Sequence, residues 1–240
     1  MKKLILLIWV AAYSTVPALA DDHASESAGN GAFTTLFVAA KDVEEYIKSV
    51  KSNPSLFEAI GTDAAGYCET ISGRDDVGQL MIWNAFSSVT DALVGASKYD
   101  ASKAPADMAS QRTFKYATTW APLKPFARLD PGYERAMRIK ISSENLPVFI
   151  ATISKMEREI IAAGHDSFMN GLFVAMGGGV HEAGTYYLKS ITSSVETHGA
   201  VIDDYFAGAA WGATYNEASA MIDEVVNDQF EVCEQFYTAE

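Results

Sequence analysis

One stretch of this chain occurs twice, and this repetition constrains the fold more than any other feature. Residues 78–89 (GQLMIWNAFSSV) and residues 184–195 (GTYYLKSITSSV) begin 106 positions apart, and both end in Ser-Ser-Val. Each copy predicts a strand that leads into a helix. An internal repeat of this kind indicates two copies of one structural unit.

The first unit shows strand and helix signals in a fixed order. Runs of aromatic and β-branched residues predict four strands, at 33–40, 65–72, 79–86 and 113–120. N-cap signals at Asp42 and Ser88 predict a helix after the first strand and another after the third. The predicted order is therefore strand, helix, strand, strand, helix, strand.

The same order returns in the second unit, from Arg135 onwards. Shifting the first helix by 103 positions places Tyr46 on Phe149 and Ile47 on Ile150, so the apolar positions match. The second unit also contains an extra segment, which we predict to be a helix at 216–228 capped by Thr214.

Prolines and composition divide the chain into five segments. Three prolines between 121 and 132 disfavour both helix and central strand there, and residues 21–32 are polar and without periodicity. The predicted segments are a signal peptide (1–20), a flexible leader (21–32), repeat one (33–126), a linker (127–134) and repeat two (135–240).

The order of elements predicts the fold class. A βαββαβ unit is the ferredoxin-like split βαβ, a four-stranded antiparallel sheet with both helices on one face. The other sheet face is left bare, and monomers rarely expose an apolar surface of that size. We therefore predict an α+β fold in which two tandem ferredoxin-like repeats pack as an intramolecular pseudo-dimer.

This arrangement resembles the dimeric α+β barrel superfamily over about residues 33–240. The superfamily includes the antibiotic-biosynthesis monooxygenases, the stress-responsive barrel proteins and, as tandem fusions, the chlorite dismutases and dye-decolourising peroxidases. The resemblance rests on element order and repetition. It implies a closed barrel and two kinds of chemistry, cofactor-independent oxygenation or haem chemistry in the C-terminal half.

The first residues predict export. Lys2 and Lys3 precede the apolar run 4–12, and Ala18-Leu19-Ala20 is a small-x-small end of the kind that signal peptidase accepts. The run is too short to anchor the chain in a bilayer. We expect cleavage after Ala20 and a periplasmic or secreted protein without membrane insertion.

The charge of the chain limits its partners. The formal net charge is −13, and loss of Lys2 and Lys3 with the signal takes it to −15. Such a field disfavours nucleic acid as a partner, and it repels acidic ligands unless a local basic pocket overrides it. The sequence shows no such pocket and no paired acid and base. Oligomer formation stays open.

Four side chains are candidates for a small-molecule site in the first repeat: Tyr67, Trp83, Asn84 and Trp120. An apolar pocket with a few polar groups is the usual small-ligand site. The resemblance implies that aromatic and amide side chains would hold a flat, acidic substrate. Because consecutive strand residues point to opposite faces, Trp83 and Asn84 cannot line one cavity. The alternative is that the aromatic residues belong only to the core.

Haem is the one cofactor that the resemblance suggests, with His198 on the second helix of repeat two as its ligand. The corresponding residue of repeat one is Ala92, so only one half carries the histidine. The peroxidase pattern Gly-x-x-Asp-Gly is absent, and His198 is equally consistent with a buried structural residue. Without haem, we expect neither a cofactor nor a metal. The run 177–179 (GGG) predicts a flexible hairpin turn and not a phosphate site.

Cys68 and Cys233 are the two cysteines of the chain. The second and fourth strands are the edges of a split βαβ sheet, and these strands carry Cys68 and Cys233. Closure of two repeats into a barrel would place the two strands side by side, within reach of a disulfide. Two unrelated buried thiols are the alternative.

Two functions from different classes follow from these observations. The first is an exported binding protein for a small apolar or aromatic molecule. The second is an enzyme of the same superfamily, either a cofactor-independent monooxygenase or a haem protein. The acidic surface and the predicted export favour the first.

Overall fold

A computed structural model describes residues 31–124 and 131–240 of the chain. The first half contains four strands and four α-helices, which are β1 (Ala32–Ala40), α1 (Val43–Lys51), α2 (Pro54–Ile60), β2 (Ala64–Ser72), β3 (Gln79–Phe86), α3 (Val89–Lys98), α4 (Ala106–Gln111) and β4 (Arg112–Pro122). The predicted signal peptide and most of the predicted leader lie outside the described residues.

The second half repeats this order with two differences. Its elements are β5 (Tyr133–Lys140), α5 (Leu146–Ala162), β6 (Met169–Met176), α6 (Gly179–Glu182), β7 (Tyr186–Thr192), α7 (Val195–Phe206), α8 (Gly212–Ser219) and β8 (Glu224–Thr238). The short α6 lies between the middle strands, where the first half has no helix, and the single α5 takes the place of α1 and α2. The helix α8 corresponds in position to α4.

The eight strands close into one antiparallel barrel in the order β1-β3-β2-β8-β5-β7-β6-β4. Within each half the order is fourth, first, third and second strand, which confirms the ferredoxin-like repeats. The halves join at two seams, β2 with β8 and β4 with β6. Each seam pairs an edge strand of one repeat with an edge strand of the other, so no sheet edge is left open.

Side-chain capping explains where the first helices begin. The carboxylate of Asp42 accepts a hydrogen bond from the backbone N–H of Glu45 at 3.0 Å, and the hydroxyl of Ser88 accepts one from Asp91 at 3.0 Å. These bonds satisfy N–H groups that the first helical turn leaves free. Both helices therefore begin where the sequence predicted.

Both faces of the barrel wall are buried, because the strands enclose one core and the helices cover another. The interior core contains residues from both repeats, among them Phe37, Met81, Trp83, Trp120, Phe173 and Tyr187. On the outside, α1 and α2 cover the sheet of repeat one, and α5 with α8 covers that of repeat two. Along β1, β3, β5 and β7, residues therefore alternate between two buried environments, whereas β8 is an exception in which Val232 and Glu234 are exposed.

Several predicted boundaries were wrong. The predicted helix at 216–228 is the shorter α8, Gly212–Ser219, and the strand β8 already begins at Glu224. The strand is 15 residues long because its two partners are staggered along it: β5 pairs with residues 224–232 and β2 with residues 230–238. The glycine run 177–179 leads into α6 instead of forming a simple hairpin turn.

The ends of three strands also differ from the predictions. Strand β4 continues to Pro122, β5 begins at Tyr133 inside the predicted linker, and β1 begins at Ala32. Proline is tolerated at position 122 because it is the N–H of the next residue, Leu123, that donates to the Leu172 carbonyl of β6.

The seam between β2 and β8 places Cys68 directly opposite Cys233, and the two residues form a disulfide. The bond lies in the barrel wall and both cysteines are buried. It joins the two repeats across a sequence separation of 165 residues.

Candidate functional site

Strand β3 separates two cavities, and two neighbouring residues mark its two faces. Trp83 lines a cavity inside the barrel, which we call the interior cavity. Asn84 lines a second cavity between the outer face of the repeat-one sheet and its helices, which we call the helix-side cavity. The sequence predicted this separation, because adjacent strand residues point in opposite directions.

The helix-side cavity has a volume of about 340 Å³. Its walls are mainly apolar side chains from the sheet and from the helices above it, among them Leu36, Val50, Leu56, Phe57, Ile82 and Met108. An apolar cavity of this size with a few polar groups is typical of small-molecule sites.

Arg112 is the cation of the helix-side cavity. Its side chain is buried, with the residue 7% exposed, and it donates hydrogen bonds to the hydroxyls of Tyr46 at 2.5 Å and Tyr99 at 2.7 Å. Among the described residues, no carboxylate lies within ion-pair distance of Arg112. A buried guanidinium that is held only by neutral hydroxyls has an uncompensated charge.

The two tyrosines can add hydrogen bonds to a ligand. Each hydroxyl accepts from Arg112, and in the described part of the chain neither donates to another protein atom. Burial raises the pKa of Tyr46, although Arg112 opposes this shift. Tyr46 therefore keeps its proton at neutral pH and can donate it to an anion held by Arg112.

Asn84 provides a polar group at the other end of this cavity. Asn84 of β3 pairs with Thr34 of β1. Arg112 of β4 pairs with Ala40, which lies six residues further along β1. The Asn84 amide donates to the Thr34 hydroxyl at 3.3 Å, and its buried Oδ1 has no partner among the described residues. The cavity thus has a cation at one end and a free acceptor towards the other.

Trp120 has a structural role inside the barrel. Its indole N–H donates to the Thr35 hydroxyl at 2.9 Å, and its ring packs against Phe33 and Tyr187. The residue is fully buried and lines neither cavity. Of the two predicted tryptophans, only Trp83 lines a cavity.

Tyr67 also lies outside both cavities. Its hydroxyl donates to a Glu234 carboxylate oxygen at 2.9 Å on the outside of the barrel. Burial and this hydrogen bond raise the pKa of Tyr67 to about 12. The residue therefore links β2 to β8 and does not reach a ligand in either cavity.

The surroundings of His198 do not fit a haem. The residue is 4% exposed, its Nδ1 lies 3.2 Å from the Thr192 hydroxyl, and its ring packs edge-on against Tyr133 and Phe230. Burial, with a contribution from Arg135, lowers the pKa of His198 to about 4. His198 lines neither cavity, so it has no space for a planar cofactor at its ring nitrogens.

Four acidic or sulfur ligands converge in the barrel wall, but they do not form a metal site as they stand. These are Cys68, Cys233, Glu134 and Glu231. Both sulfurs are in the disulfide, and the Lys189 ammonium is paired with both carboxylates. The positions that a cation would take are therefore occupied by protein groups.

Sequence reasoning missed the buried charges. Arg112 lies just before the predicted strand at 113–120, and the expectation that no basic pocket exists was wrong. Glu134 and Arg138 lie on the face of β5 opposite the apolar residues Met137 and Ile139, which an open sheet would expose to solvent. In a closed barrel the opposite face is buried as well, so charged residues at alternate positions of such a strand were the signal that could have revealed them.

Comparison with known proteins shows a shared fold. No protein-family model matches the chain. No curated protein matches it either. A proposed monooxygenase from Lactobacillus acidophilus NCFM has a TM-score of 0.58 at 11% identity, covering 88% of this chain and 96% of its own. An anthrone oxidase-like protein has a TM-score of 0.57 at 10% identity, with coverages of 88% and 97%.

A mutant form of the chlorite dismutase from Candidatus Nitrospira defluvii has a TM-score of 0.53 at 10% identity, covering 87% of this chain and 92% of its own. These similarities confirm the dimeric α+β barrel fold, and at such identities they carry nothing about chemistry. Among the described residues, no helix combines the length and the apolar character needed to cross a membrane.

Proposed function

We propose that this dimeric α+β barrel protein binds an apolar or aromatic carboxylic acid in the helix-side cavity, with the carboxylate held by Arg112. The observation that supports this proposal is the buried guanidinium without a carboxylate partner among the described residues, inside a cavity with apolar walls. A ligand carboxylate would supply the missing charge and could accept two parallel hydrogen bonds from the guanidinium.

The hydrogen bonds of Arg112 favour an anion over a neutral ligand. Tyr46 and Tyr99 hold the guanidinium in place while keeping their own protons for the ligand. The cavity can thus offer several converging donors to one anion, whereas a neutral ligand would leave the buried charge unpaired. This local cation overrides the negative field of the whole protein, which would otherwise repel an acid.

The apolar walls of the cavity determine the size and shape of the part of the ligand that does not carry the carboxylate. Its walls at Leu36, Phe57 and Ile82 can accept an aliphatic chain or fused rings. The free Oδ1 of Asn84 can accept a hydrogen bond from a hydroxyl at the far end of the ligand. We therefore favour elongated acids over small ones such as acetate.

Matched ligands and one substitution test this function. We expect 2-naphthoate to bind more tightly than 2-naphthylmethanol, which has a similar body without the charge, in calorimetric titrations. Arg112→Gln should weaken 2-naphthoate binding by roughly ten- to a hundredfold, because a hydrogen bond to a charged group contributes about 1.5–3 kcal/mol. Binding of the alcohol should change little.

Tyr67→Phe is the control, since Tyr67 lies outside both cavities. This variant should bind 2-naphthoate like the wild type. Equal affinity of wild type and Arg112→Gln for 2-naphthoate would contradict the proposal, provided that both proteins melt cooperatively.

A cofactor-independent oxygenase is the second candidate, because the same cavity contains the hydroxyls of Tyr46 and Tyr99 and the Asn84 amide. Two proteins of similar fold are described as a proposed monooxygenase and as anthrone oxidase-like. The test is incubation with anthrone and oxygen: one O₂ per anthrone would give anthraquinone and water. Wild-type turnover that is lost in Tyr46→Phe and in Asn84→Ala would favour the enzyme, and no turnover above the uncatalysed rate would exclude this substrate.

We also propose that residues 1–20 direct export. The buried disulfide supports this proposal, since structural disulfides persist in oxidising compartments. Mass spectrometry of the protein recovered from cell fractions tests it. An N-terminus at Asp21 in the periplasmic or secreted fraction is the expected result, and an uncleaved protein in the cytoplasm would contradict it.

A further inference from the structure

The interior cavity is distinct from the helix-side cavity and has a different chemistry. Its volume is about 230 Å³, and it lies inside the barrel towards the end where Gly31, Pro122 and Pro131 are located. Aromatic and aliphatic side chains form most of its wall: Phe33, Met81, Trp83, Phe173 and Ile191. Its polar lining comes from Glu134 and Lys189.

The charges inside the barrel do not balance. Among the described residues, Arg138 and Glu182 form a buried ion pair at 3.0 Å, and each is thereby compensated. Lys189 is then the one ammonium shared by two buried carboxylates, at 2.5 Å from Glu134 and 3.2 Å from Glu231. With both carboxylates ionised, this cluster has one negative charge more than it has positive charges.

The two carboxylates differ in how well they are satisfied. One oxygen of Glu231 accepts from Gln229 at 2.6 Å, and the other accepts from Lys189 and from Tyr187 at 3.3 Å. Glu134 uses only Oε2, which accepts from Lys189. Within the described ranges, Oε1 of Glu134 accepts no hydrogen bond, although the residue is only 3% exposed and lines the cavity.

Glu134 is a carboxylate of this cluster whose ionised form is disfavoured by its surroundings. Burial, followed by the nearby Glu231, raises the pKa of Glu134, and Lys189 opposes this shift. Burial disfavours the charged form of Lys189, but Glu134, Tyr187 and Glu231 outweigh it, so the pKa of Lys189 is raised. Lys189 therefore stays charged, and a second cation beside Glu134 would stabilise the cluster.

We propose that the interior cavity is a second binding site, which takes a small aromatic amine whose ammonium group donates to Oε1 of Glu134. The ring of such a ligand would lie between the aromatic side chains Phe33, Trp83 and Phe173. A volume of about 230 Å³ suits one ring with a short side chain, since drug-sized ligands need roughly 300–1,000 Å³.

Amines are preferred here over the acids proposed for the other cavity. A carboxylate would face the surplus negative charge and the free oxygen of Glu134, which costs free energy in a buried site. A neutral alcohol could donate one hydrogen bond to Glu134 but would leave the charge unbalanced. The two cavities thus select ligands of opposite charge, and neither assignment depends on the other.

Calorimetric titration of the disulfide-intact protein at neutral pH tests the proposal. The probes are 2-phenylethylamine, which is protonated, and 2-phenylethanol, its neutral counterpart. We expect the amine to bind at least about tenfold more tightly than the alcohol, since a hydrogen bond to a charged group is roughly twice as strong as a neutral one. Glu134→Gln should reduce the affinity for the amine to that for the alcohol.

Arg112→Gln separates this proposal from the proposed function. It should leave the affinity for 2-phenylethylamine unchanged while weakening binding of 2-naphthoate. Equal affinities of the wild type for amine and alcohol, or no binding of either at millimolar concentration, would overturn the proposal. These two outcomes are measured on the wild-type protein, so the test holds even if Glu134→Gln does not fold.

Discussion

Buried cations in this protein are accommodated in two different ways. Arg138 and Lys189 are paired with carboxylates in the barrel interior, whereas Arg112 contacts only the hydroxyls of Tyr46 and Tyr99 among the polar groups of the described residues. A paired buried charge adds little net stability, but removing its partner leaves an isolated charge in a medium of low polarity. Substitution of single residues should therefore separate structural charges from those that serve a ligand.

Glu182→Gln should destabilise the protein by about 3–5 kcal/mol, because it leaves Arg138 charged and unpaired in the barrel. Glu224→Gln is a matched control, since it breaks an exposed ion pair with Lys140 at 2.7 Å. The control should cost less than about 1 kcal/mol. Urea unfolding measures both, and equal losses in the two variants would show that Arg138 does not need Glu182.

His198 should make stability depend on pH. Its pKa is about 4 in the folded protein against an ordinary value of 6.5, so below 6.5 the unfolded chain binds more protons. Stability should therefore fall as pH decreases from about 6.5 to 4, by about 2 kcal/mol after allowance for solvent screening.

His198→Asn should remove this contribution while keeping a hydrogen-bonding group beside Thr192. The difference in unfolding free energy between wild type and variant should then shrink as pH falls through this range. A constant difference between neutral pH and pH 4 would show that His198 is not the group responsible.

At the scale of elements, strand β2 shows how closely the barrel is packed. Gly66 lies at the register shift between β2 and β8, and a β-carbon there would overlap the carbonyl oxygen of Glu234 and the indole ring of Trp83. Glycine is required because no side chain fits between the two strands and the interior tryptophan.

Gly66→Ala should therefore cost about 3 kcal/mol, the upper end for overpacking of a core. Gly199→Ala is the control, because a β-carbon at this position in α7 meets no atom within 4 Å. It should be neutral or should stabilise the helix by up to about 1 kcal/mol. Similar melting temperatures for both variants would contradict the packing argument.

The sequence predicted elements better than it predicted their ends. Capping residues such as Asp42 and Ser88 act locally, so the helix starts were predictable. The length of β8 depends on pairing with β5 and β2, which are distant in the chain, and the helical pattern at 216–228 was therefore misleading. Local signals do not include the partners that a strand will find.

The whole barrel was predictable from the repeat, but its buried charges were not. A tandem βαββαβ order requires the bare sheet faces to meet, which led to the correct strand order. The positions of Arg112, Glu134 and Lys189 relative to cavities depend on closure of the barrel and on helix packing. The candidate residue Asn84 could be identified in advance, whereas its cavity partner Arg112 could not.

The disulfide should account for a large part of the stability of the whole molecule. It closes a sequence separation of 165 residues, for which the chain-entropy model gives roughly 5 kcal/mol. Reduced and alkylated protein should unfold at correspondingly lower urea concentration than the oxidised protein. Thiol counting on unfolded, unreduced protein should find no free thiol, and two free thiols would show that the bond does not form.

The position of β8 also affects the time course of folding. Strand β2 pairs with β8, the last strand of the barrel in chain order, so it has one open edge until β8 has been made. At roughly 5–20 residues per second, synthesis of the segment between the cysteines takes on the order of 10 to 30 seconds. During that time, the thiol of Cys68 and the edge of β2 are open to other nascent chains. Conditions that delay the C-terminal segment should therefore increase aggregation and mixed disulfides of the first repeat.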